Sequence, residues 1–307
     1  MTRIAWTNDI HLNFLDDGRV IRFFKSIESQ DFDFLLIAGD IAQANNLKKY
    51  LHFLNGLISR PVFFVLGNHD FYYSSITKMS REIEKWVLDF ENLFYLGMGF
   101  DFNLSDKNSP VAEVFRPPTQ YLSEKKSERE MIPDQLKSLR PHVYKLSEKT
   151  GLVGHGCWAD GRVGNYFDSD IMLNDYMLIG EYVGLNKNKR FKLMNRLGDM
   201  SADYFRKYLP LALSKFDEVI VLLHVPPFKE ATWHEGEVSE NGHLPHFSCK
   251  AVGEALVEIM EKHPDKKITV LCGHTHGEGK CRVGDNIFVI TGPATYGEPK
   301  ITGFLEV

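Results

Sequence analysis

Five short apolar runs constrain the fold of this chain more than any other feature. Together the runs are rich in Val, Ile, Leu and Phe, and they lack the alternation of apolar and polar residues that marks a half-exposed strand. Strands of this kind are buried on both faces, as in sheets that are covered by helices or by another sheet. The runs occupy residues 3–6, 32–38, 61–66, 219–223 and 268–272.

Helical patterns between these runs predict a layered α/β fold. Two later runs, residues 281–291 and 301–307, predict further strands that complete a second sheet. The segments in which apolar residues recur at helical spacing are residues 19–29, 47–58, 77–88, 201–213 and 251–263.

Two long polar stretches do not fit this plan of strands and helices. Residues 97–140 contain several prolines and a charged run, and residues 160–192 are rich in Gly, Asn and Asp. Long loops within a compact domain are usually functional or mobile. We therefore predict a single domain over residues 1–307 with loop insertions near 97–140 and 160–192, and the sequence leaves open whether they act as a lid.

The charge balance and the lack of long apolar runs argue against nucleic-acid and membrane partners. The chain has 36 Lys and Arg against 41 Asp and Glu, a formal charge of −5, whereas nucleic-acid-binding proteins usually carry a positive surface. No run resembles a signal peptide or is long enough to span a membrane, and the four cysteines form no Cys-x-x-Cys pair. We expect a cytoplasmic protein with reduced thiols and without nucleic-acid or membrane partners, and its oligomeric state stays open.

Side chains that can bind metals follow each of the five apolar runs. The carboxyl ends of strands in α/β sheets converge on one crevice, so these side chains are expected to meet. Each cluster alone could be a turn, a helix cap or a buried histidine, and it is their conjunction that indicates a site. In chain order they are Asp9 and His11, then Asp40, then Asn68, His69 and Asp70, then His224, and finally His274 and His276.

The types of these side chains predict the kind of metal. A mixture of carboxylate, amide and imidazole suits manganese, iron, zinc or nickel rather than Ca²⁺ or a thiolate-bound metal. Residues i and i+2 of an extended segment face the same side, so Asp9 and His11 can bind the same ion. A pair of ions about 3.5–4 Å apart can activate a shared water, and a carboxylate is the natural ligand to bridge them.

The sequence resembles the calcineurin-like metallophosphoesterases over nearly its whole length. The resemblance implies an α/β fold, a four-layer sandwich of two mixed β-sheets flanked by helices. It also implies an enzyme that hydrolyses a phosphomonoester or phosphodiester by attack of a hydroxide that bridges two metal ions. The blocks that carry it, in the family's order, are Asp9-x-His11, Gly39-Asp40, Gly67-Asn68-His69-Asp70, His224 within residues 222–227, and Gly273-His274-Thr275-His276.

The resemblance also implies a role for each residue of these blocks. His69 would protonate the leaving oxygen or stabilise charge on the phosphoryl group, and Asp70 would hydrogen-bond to its imidazole. The alternative is a non-catalytic metal-binding scaffold or protein-interaction module of the same fold, against which the presence of His69 argues. The implied ligands are Asp9, His11 and His276 for the first metal, Asn68, His224 and His274 for the second, and Asp40 as the bridge between both.

Departures from known subgroups narrow the substrate without identifying it. The residues after Asp40 lack the arginine of the protein Ser/Thr phosphatases, and Gln43 stands where purple acid phosphatases have a metal-binding tyrosine. We expect a small or medium-sized phosphate ester as the substrate. The candidate substrate contacts, each of which could instead pack its own loop, are Arg162, Phe228, Trp233, His234 and His246.

Overall fold

Two mixed β-sheets form the centre of the structure. A computed structural model describes residues 1–97 and 142–307, so the insertion predicted at 97–140 lies, apart from Gly97, outside the described residues. The strands are β1 (Arg3–Thr7), β2 (Phe34–Ala38), β3 (Val62–Val65), β4 (Leu93–Tyr95), β5 (Tyr144–Lys145), β6 (Thr150–His155), β7 (Glu218–Leu223), β8 (Trp233–His234), β9 (Glu237–Val238), β10 (Lys267–Cys272), β11 (Gly279–Val283), β12 (Ile287–Thr291) and β13 (Gly303–Glu306).

The first sheet has the strand order β13-β1-β2-β3-β4 and the second has the order β11-β12-β10-β7-β6-β5. Strands β1 to β4 run parallel, and β13 pairs antiparallel with β1 at the edge. In the second sheet β12, β10, β7 and β6 run parallel, and β11 and β5 are antiparallel edge strands. Strands β8 and β9 form a separate hairpin.

Helices cover the outer faces of both sheets. Several begin at a side chain that accepts a hydrogen bond from a free backbone N–H of the first turn, as Asp16 does from Arg19 and Ser75 from Lys78. None of the helices in the described part of the chain is long and apolar enough to cross a membrane. The helices are α1 (Asp17–Glu28), α2 (Ala44–Leu57), α3 (Ile76–Trp86), α4 (Asp175–Leu178), α5 (Lys187–Leu213), α6 (Leu244–Phe247) and α7 (Lys250–Glu261).

Strand β2 shows how the apolar runs build the layers. All its residues are buried. Phe34 and Leu36 lie in the core between the two sheets, whereas Leu35 and Ile37 pack in the core that contains α1 and α2. Burying one such leucine stabilises the fold by about 1.5–3 kcal/mol. A third core lies between the second sheet and α5 and α7, so the four-layer sandwich of two mixed sheets flanked by helices is confirmed.

The last strand departs from the prediction. Residues 281–291 do belong to the second sheet, but β13 pairs with β1 in the first sheet, with Glu306 opposite Arg3. The prediction that residues 301–307 complete the second sheet is therefore wrong. The physical reason is that β1 would otherwise be an open edge, and a closing strand satisfies its free backbone groups.

The segment predicted as an insertion at 160–192 is partly helical. Helix α5 begins at Lys187, where Asn186 accepts a hydrogen bond from the backbone N–H of Lys189, and not near residue 201. Its first turns are polar and partly exposed, so they carry no clear apolar periodicity. The rest of the segment packs on the first core through Tyr176 and Ile179.

Candidate metal centre

The predicted ligands follow strands of both sheets. Strands β1, β2 and β3 of the first sheet lead to Asp9, His11, Asp40 and Asn68, and strands β7 and β10 of the second lead to the three remaining histidines. One ligand atom from each of Asp9, His11, Asp40 and His276 lies within 4.8 Å of the others. The residues assigned to the first metal therefore meet around Asp40.

A second group forms on the other side of Asp40. Asn68 Oδ1 lies 2.9 Å from His224 Nε2 and 3.0 Å from His274 Nδ1, and Asp40 Oδ1 lies 3.5 Å from His224 Nε2. Asp40 Oδ2 lies 3.7 Å from His11 Nε2 in the first group. Asp40 is thus the residue that faces both groups, as a bridging ligand must.

Hydrogen bonds from the opposite ring nitrogens fix how the histidines of the second group face the centre. His224 Nδ1 donates to the carbonyl of Ala38 at 2.9 Å, and His274 Nε2 donates to the carbonyl of His246 at 3.0 Å. Asn68 donates through Nδ2 to Asp175 at 2.8 Å. In the neutral rings the lone pairs of both inner nitrogens therefore face the carbonyl oxygen of Asn68.

Such a convergence of acceptors fits a cation. Two nitrogen lone pairs that each lie about 3 Å from the same carbonyl oxygen repel it unless a positive group lies between them. The first group shows a related feature, because His11 Nε2 and His276 Nε2 are 3.1 Å apart. Nitrogens that bind one ion at about 2.0–2.1 Å stand about 3 Å apart. The donor set therefore fits the metal ions that the sequence implied.

Burial raises the pKa of the candidate bridging carboxylate and lowers the pKa values of two candidate histidine ligands. The pKa of Asp40 is raised well above its usual value by burial and by the charges of Asp9 and Asp70. Burial lowers the pKa of His224 and of His274 to about 4, so both rings are neutral, as metal ligands must be. A bound cation would stabilise the Asp40 carboxylate that burial disfavours.

The backbone at the site is strained. Among the described residues eight other than glycine have a positive φ, and five of these are predicted ligands. Each such residue costs about 1–3 kcal/mol, and strain of this kind is typical of functional sites. The five are Asp9, His11, Asp40, His274 and His276, with φ between 39° and 71°.

Glycines in the motifs allow the backbone to approach the carboxylates. A Cβ atom on Gly67 would lie 2.1 Å from Asp40 Oδ1, and one on Gly273 would lie 2.0 Å from Asp9 Oδ2. Both distances are far below van der Waals contact, so only glycine fits. This explains why a glycine precedes the ligand block after β3 and after β10.

His69 lies at the rim of the centre, and its ring is held by aromatic contacts. The ring stacks on Tyr72 with 4.3 Å between centroids and meets the ring of His11 at 4.6 Å. Its backbone N–H donates to Asp40 Oδ1 at 2.9 Å. Burial, followed by the nearby histidines, lowers the pKa of His69 to about 3, so the imidazole is neutral at pH 7.

Asp70 does not have the predicted contact with His69. Its carboxylate accepts hydrogen bonds from the backbone N–H groups of Ala42 at 2.8 Å, Gly67 at 2.9 Å and Ile41 at 3.3 Å. Nδ1 of His69 is buried and has no hydrogen-bond partner within residues 1–97 and 142–307. The prediction that Asp70 orients the imidazole is wrong, because the three N–H groups bind its carboxylate. Asp70 instead ties the loop after β2 to the loop after β3.

Two predicted substrate contacts lie in a different groove. The guanidinium of Arg162 makes two hydrogen bonds to Asp199, at 2.6 and 2.9 Å, and a longer one to Asp160. Phe228 packs beside Gly253 and against the second core. Both residues line a surface groove to which no predicted metal ligand contributes. The structure therefore does not bring Arg162 or Phe228 to the metal centre.

The other three candidates lie in short elements that follow β7, with Trp233 and His234 in β8 and His246 in α6. Both ring nitrogens of His246 are already bonded, to the hydroxyls of Tyr176 and Ser169, so the prediction of a substrate contact is wrong for this side chain. Trp233 covers the backbone of Gly279 with its indole. His234 donates from Nδ1 to the carbonyl of Thr275 at 3.1 Å, between His274 and His276, and is the candidate that stays beside the centre.

The sequence did not indicate three residues that contact the predicted ligands. Asp175 accepts hydrogen bonds from Asn68 Nδ2 and from the hydroxyl of Tyr72 at 2.8 and 2.7 Å. Tyr296 places its ring 4.6 Å from that of His11. Asp175 and Tyr296 lie in loop-rich segments without a motif. Tyr72 lies two residues after Asp70, the last residue of the third block, and this closeness is its sequence signal.

Comparisons with known proteins agree with this geometry. The family model of the calcineurin-like phosphoesterases matches residues 2–278, and the chain belongs to this family. The family and the buried Asp and His cluster support a hydrolase of the phosphoesterase type with a divalent metal site. Among curated proteins none matches the chain significantly.

Solved structures are similar to this chain over almost all its length. A phosphopantetheinyl hydrolase from Mycobacterium tuberculosis is 12% identical with a TM-score of 0.57, over 96% of this chain and 90% of that one. A dimetal phosphatase from Danio rerio is 14% identical with a TM-score of 0.49, over 97% and 89%. At such low identity the likeness to the first of these supports the fold alone.

Proposed function

We propose that this chain hydrolyses a phosphomonoester or phosphodiester with the help of two metal ions. The observation that carries the proposal is the position of Asp40, whose two oxygens face two separate groups of ligand atoms. The first group would bind one ion through Asp9, His11 and His276. The second group, Asn68, His224 and His274, would bind the other.

The donor set favours manganese, iron, zinc or nickel. It combines imidazole nitrogens with carboxylate and amide oxygens and contains no thiolate, a mixture that Ca²⁺ does not prefer. When bound, two such ions would supply a hydroxide at neutral pH and neutralise charge on the phosphoryl oxygens. The partner of the site is a small or medium-sized phosphate ester.

The position of His69 favours a catalytic metal site over a purely structural one. Its ring lies next to the ligand His11 and, with a pKa lowered to about 3, is a neutral hydrogen-bond donor at pH 7. It would donate to a phosphoryl or leaving oxygen and so stabilise the charge that develops there. A non-catalytic scaffold would have no use for such a donor.

Turnover of model esters tests the proposed function. We expect the chelator-treated protein to be inactive on p-nitrophenyl phosphate and bis-p-nitrophenyl phosphate, and Mn²⁺, Fe²⁺, Zn²⁺ or Ni²⁺ to restore activity on at least one. Ca²⁺ is the matched control and should restore little, because both ligand groups rely on imidazole nitrogens. Absence of metal-dependent turnover on a broad panel of phosphate esters would favour the scaffold.

A further inference from the structure

Two large aromatic side chains are exposed beside the metal centre. Tyr296 is 47% exposed and Phe14 is 51% exposed, and their ring centroids are 4.8 Å apart at an angle of 46°. The ring of Tyr296 also lies 4.9 Å from that of His276 and 6.1 Å from that of His69. The pair therefore contacts the predicted ligands on one side and faces water on the other.

The backbone that carries each ring is tied to the site or to its surroundings. Phe14 ends the short turn Leu12–Phe14 that follows the ligand His11 directly. Tyr296 lies in the loop between β12 and β13, where the N–H of Ala294 donates to the carbonyl of His276 at 3.2 Å. On the other side of Tyr296, the guanidinium of Arg19 donates to the carbonyl of Gly297 at 2.5 Å. The backbone around the aromatic pair is therefore ordered without a ligand.

The two tilted rings offer an apolar aromatic surface against which a planar group can pack. Aromatic rings attract one another at centroid distances of about 4.5–7 Å in tilted or offset arrangements. This attraction adds to the free energy gained from burying apolar area. A phosphoryl group held near His11 and His276 would carry its first substituent past the ring of Tyr296, because that ring contacts both imidazoles. An aliphatic substituent would gain only from buried area.

We propose that Phe14 and Tyr296 form an aromatic shelf that binds a planar aromatic or heteroaromatic ring carried next to the phosphoryl group of the substrate. This inference rests on the proposed function and names the substrate class. The shelf acts in binding, and the hydrolysis itself would proceed at the ligands described above.

The binding of two phosphonates tests the shelf independently of hydrolysis. Phenylphosphonate and methylphosphonate present the same anionic head group, and their P–C bond is not hydrolysed, so both report binding alone. Calorimetry on the Mn²⁺-loaded full chain, at a pH where both phosphonates are dianions, would give their dissociation constants. Wild-type protein should bind phenylphosphonate about tenfold more tightly, which corresponds to about 1.4 kcal/mol, because the phenyl ring adds stacking and buried area that a methyl group lacks.

Leucine variants remove the aromatic face while they keep an apolar side chain. Tyr296→Leu should weaken phenylphosphonate about fivefold and Phe14→Leu about threefold, with the dissociation constant of methylphosphonate changed by less than about twofold. Phe288→Leu is the matched control: Phe288 is also an exposed aromatic, at 40%, but it pairs with Thr269 in the second sheet. It should leave both constants unchanged.

The outcomes distinguish failure of the aromatic shelf from failure of the metal centre. Equal binding of both phosphonates by the wild type, or a ratio that neither leucine variant changes, would overturn the shelf while methylphosphonate binding upholds the metal centre. If neither phosphonate binds the metal-loaded protein, the proposed function fails and the shelf fails with it. Because both rings are exposed, the variants should fold, and retained binding of methylphosphonate verifies this in the same experiment.

Discussion

His69 and the predicted ligand His11 share the neighbour Asp40 but differ in what else surrounds them. His69 Nε2 lies 3.9 Å from Asp40 Oδ2, while its ring stacks on Tyr72 at the rim of the centre. His11 is fully buried, and its Nε2 faces that of His276. Since both imidazoles are neutral, their positions decide their roles: His11 directs a lone pair inward, and His69 is free to donate.

Replacement of His69 tests this division of roles. We expect His69→Ala to retain both metal ions but to slow turnover by about 10²–10⁴-fold, the range for loss of a positioned donor. The effect should be largest for esters with poor leaving groups. His52→Ala, on the exposed face of α2, is the control and should be neutral.

The pH profile gives the same variant a second readout. With a folded-state pKa near 3, His69 does not change its charge between pH 5 and pH 8, so wild type and His69→Ala should share every ionisation in that range. An acidic limb near pH 6 to 7 that disappears in the variant would contradict a neutral His69 and identify an imidazolium acid instead.

At the level of residues, the sequence could predict which side chains meet but not their finer contacts. The ligands follow strand ends, and the convergence of strand ends is a property of the fold class. The partners of Asp70 and His246 depend on loop geometry, which a single sequence does not encode in any motif. Tyr296 was missed because a lone tyrosine after Gly292 and Pro293 looks like an ordinary turn residue.

Among the secondary-structure elements, the short helix α4 orients residues of the second ligand group. Asp175 at its start binds the amide of Asn68, and the next residue, Tyr176, is hydrogen-bonded to His246 at 2.5 Å. The carbonyl of His246 in turn accepts the hydrogen bond that orients His274. One helical turn therefore orients two of the three residues that make up the second ligand group.

Removing the charge of Asp175 should weaken the second metal site selectively. Asp175→Asn loses the carboxylate that keeps the amide nitrogen of Asn68 turned outward, so we expect the affinity for one of the two ions to fall about 10–100-fold. Metal titration with elemental analysis should find one tightly bound ion. Asp170→Asn, an exposed residue of the same segment, should bind two; two ions held with wild-type affinity by Asp175→Asn would count against this role.

Some secondary-structure elements could be predicted from the sequence and others could not, for physical reasons. Fully buried parallel strands such as β2 are visible because every position must be apolar. Strand β6 was not predicted although it is buried throughout, because its glycines and its threonine give it no apolar run. One of those glycines is required, since a Cβ on Gly151 would lie 2.4 Å from the ring of Phe216.

For the molecule as a whole, the metal centre joins the two sheets. Asp9, His11, Asp40 and Asn68 follow strands of the first sheet, while His224 and the pair His274 and His276 follow strands of the second. Without a cation, burial and the charges of the neighbouring Asp9 and Asp70 raise the pKa of Asp40 at this junction. Ions bound there would hold the sheets together and should stabilise the folded state.

Metal content and thermal stability, measured together on wild type and Asp40→Asn, test the central claim most directly. At a hundredfold excess over Kd each ion adds about 2.7 kcal/mol, which should raise Tm by about 5 °C or more for a chain of this size. The affinity should increase with pH, because the raised pKa of Asp40 means that a proton competes with the ions at low pH.

We predict two ions per wild-type chain with the corresponding rise in Tm, and loss of both ions and of that rise in Asp40→Asn. A wild-type chain that takes up no second ion at millimolar Mn²⁺, or an Asp40→Asn chain that retains two ions tightly, would contradict a bridging carboxylate and the two-metal account built on it.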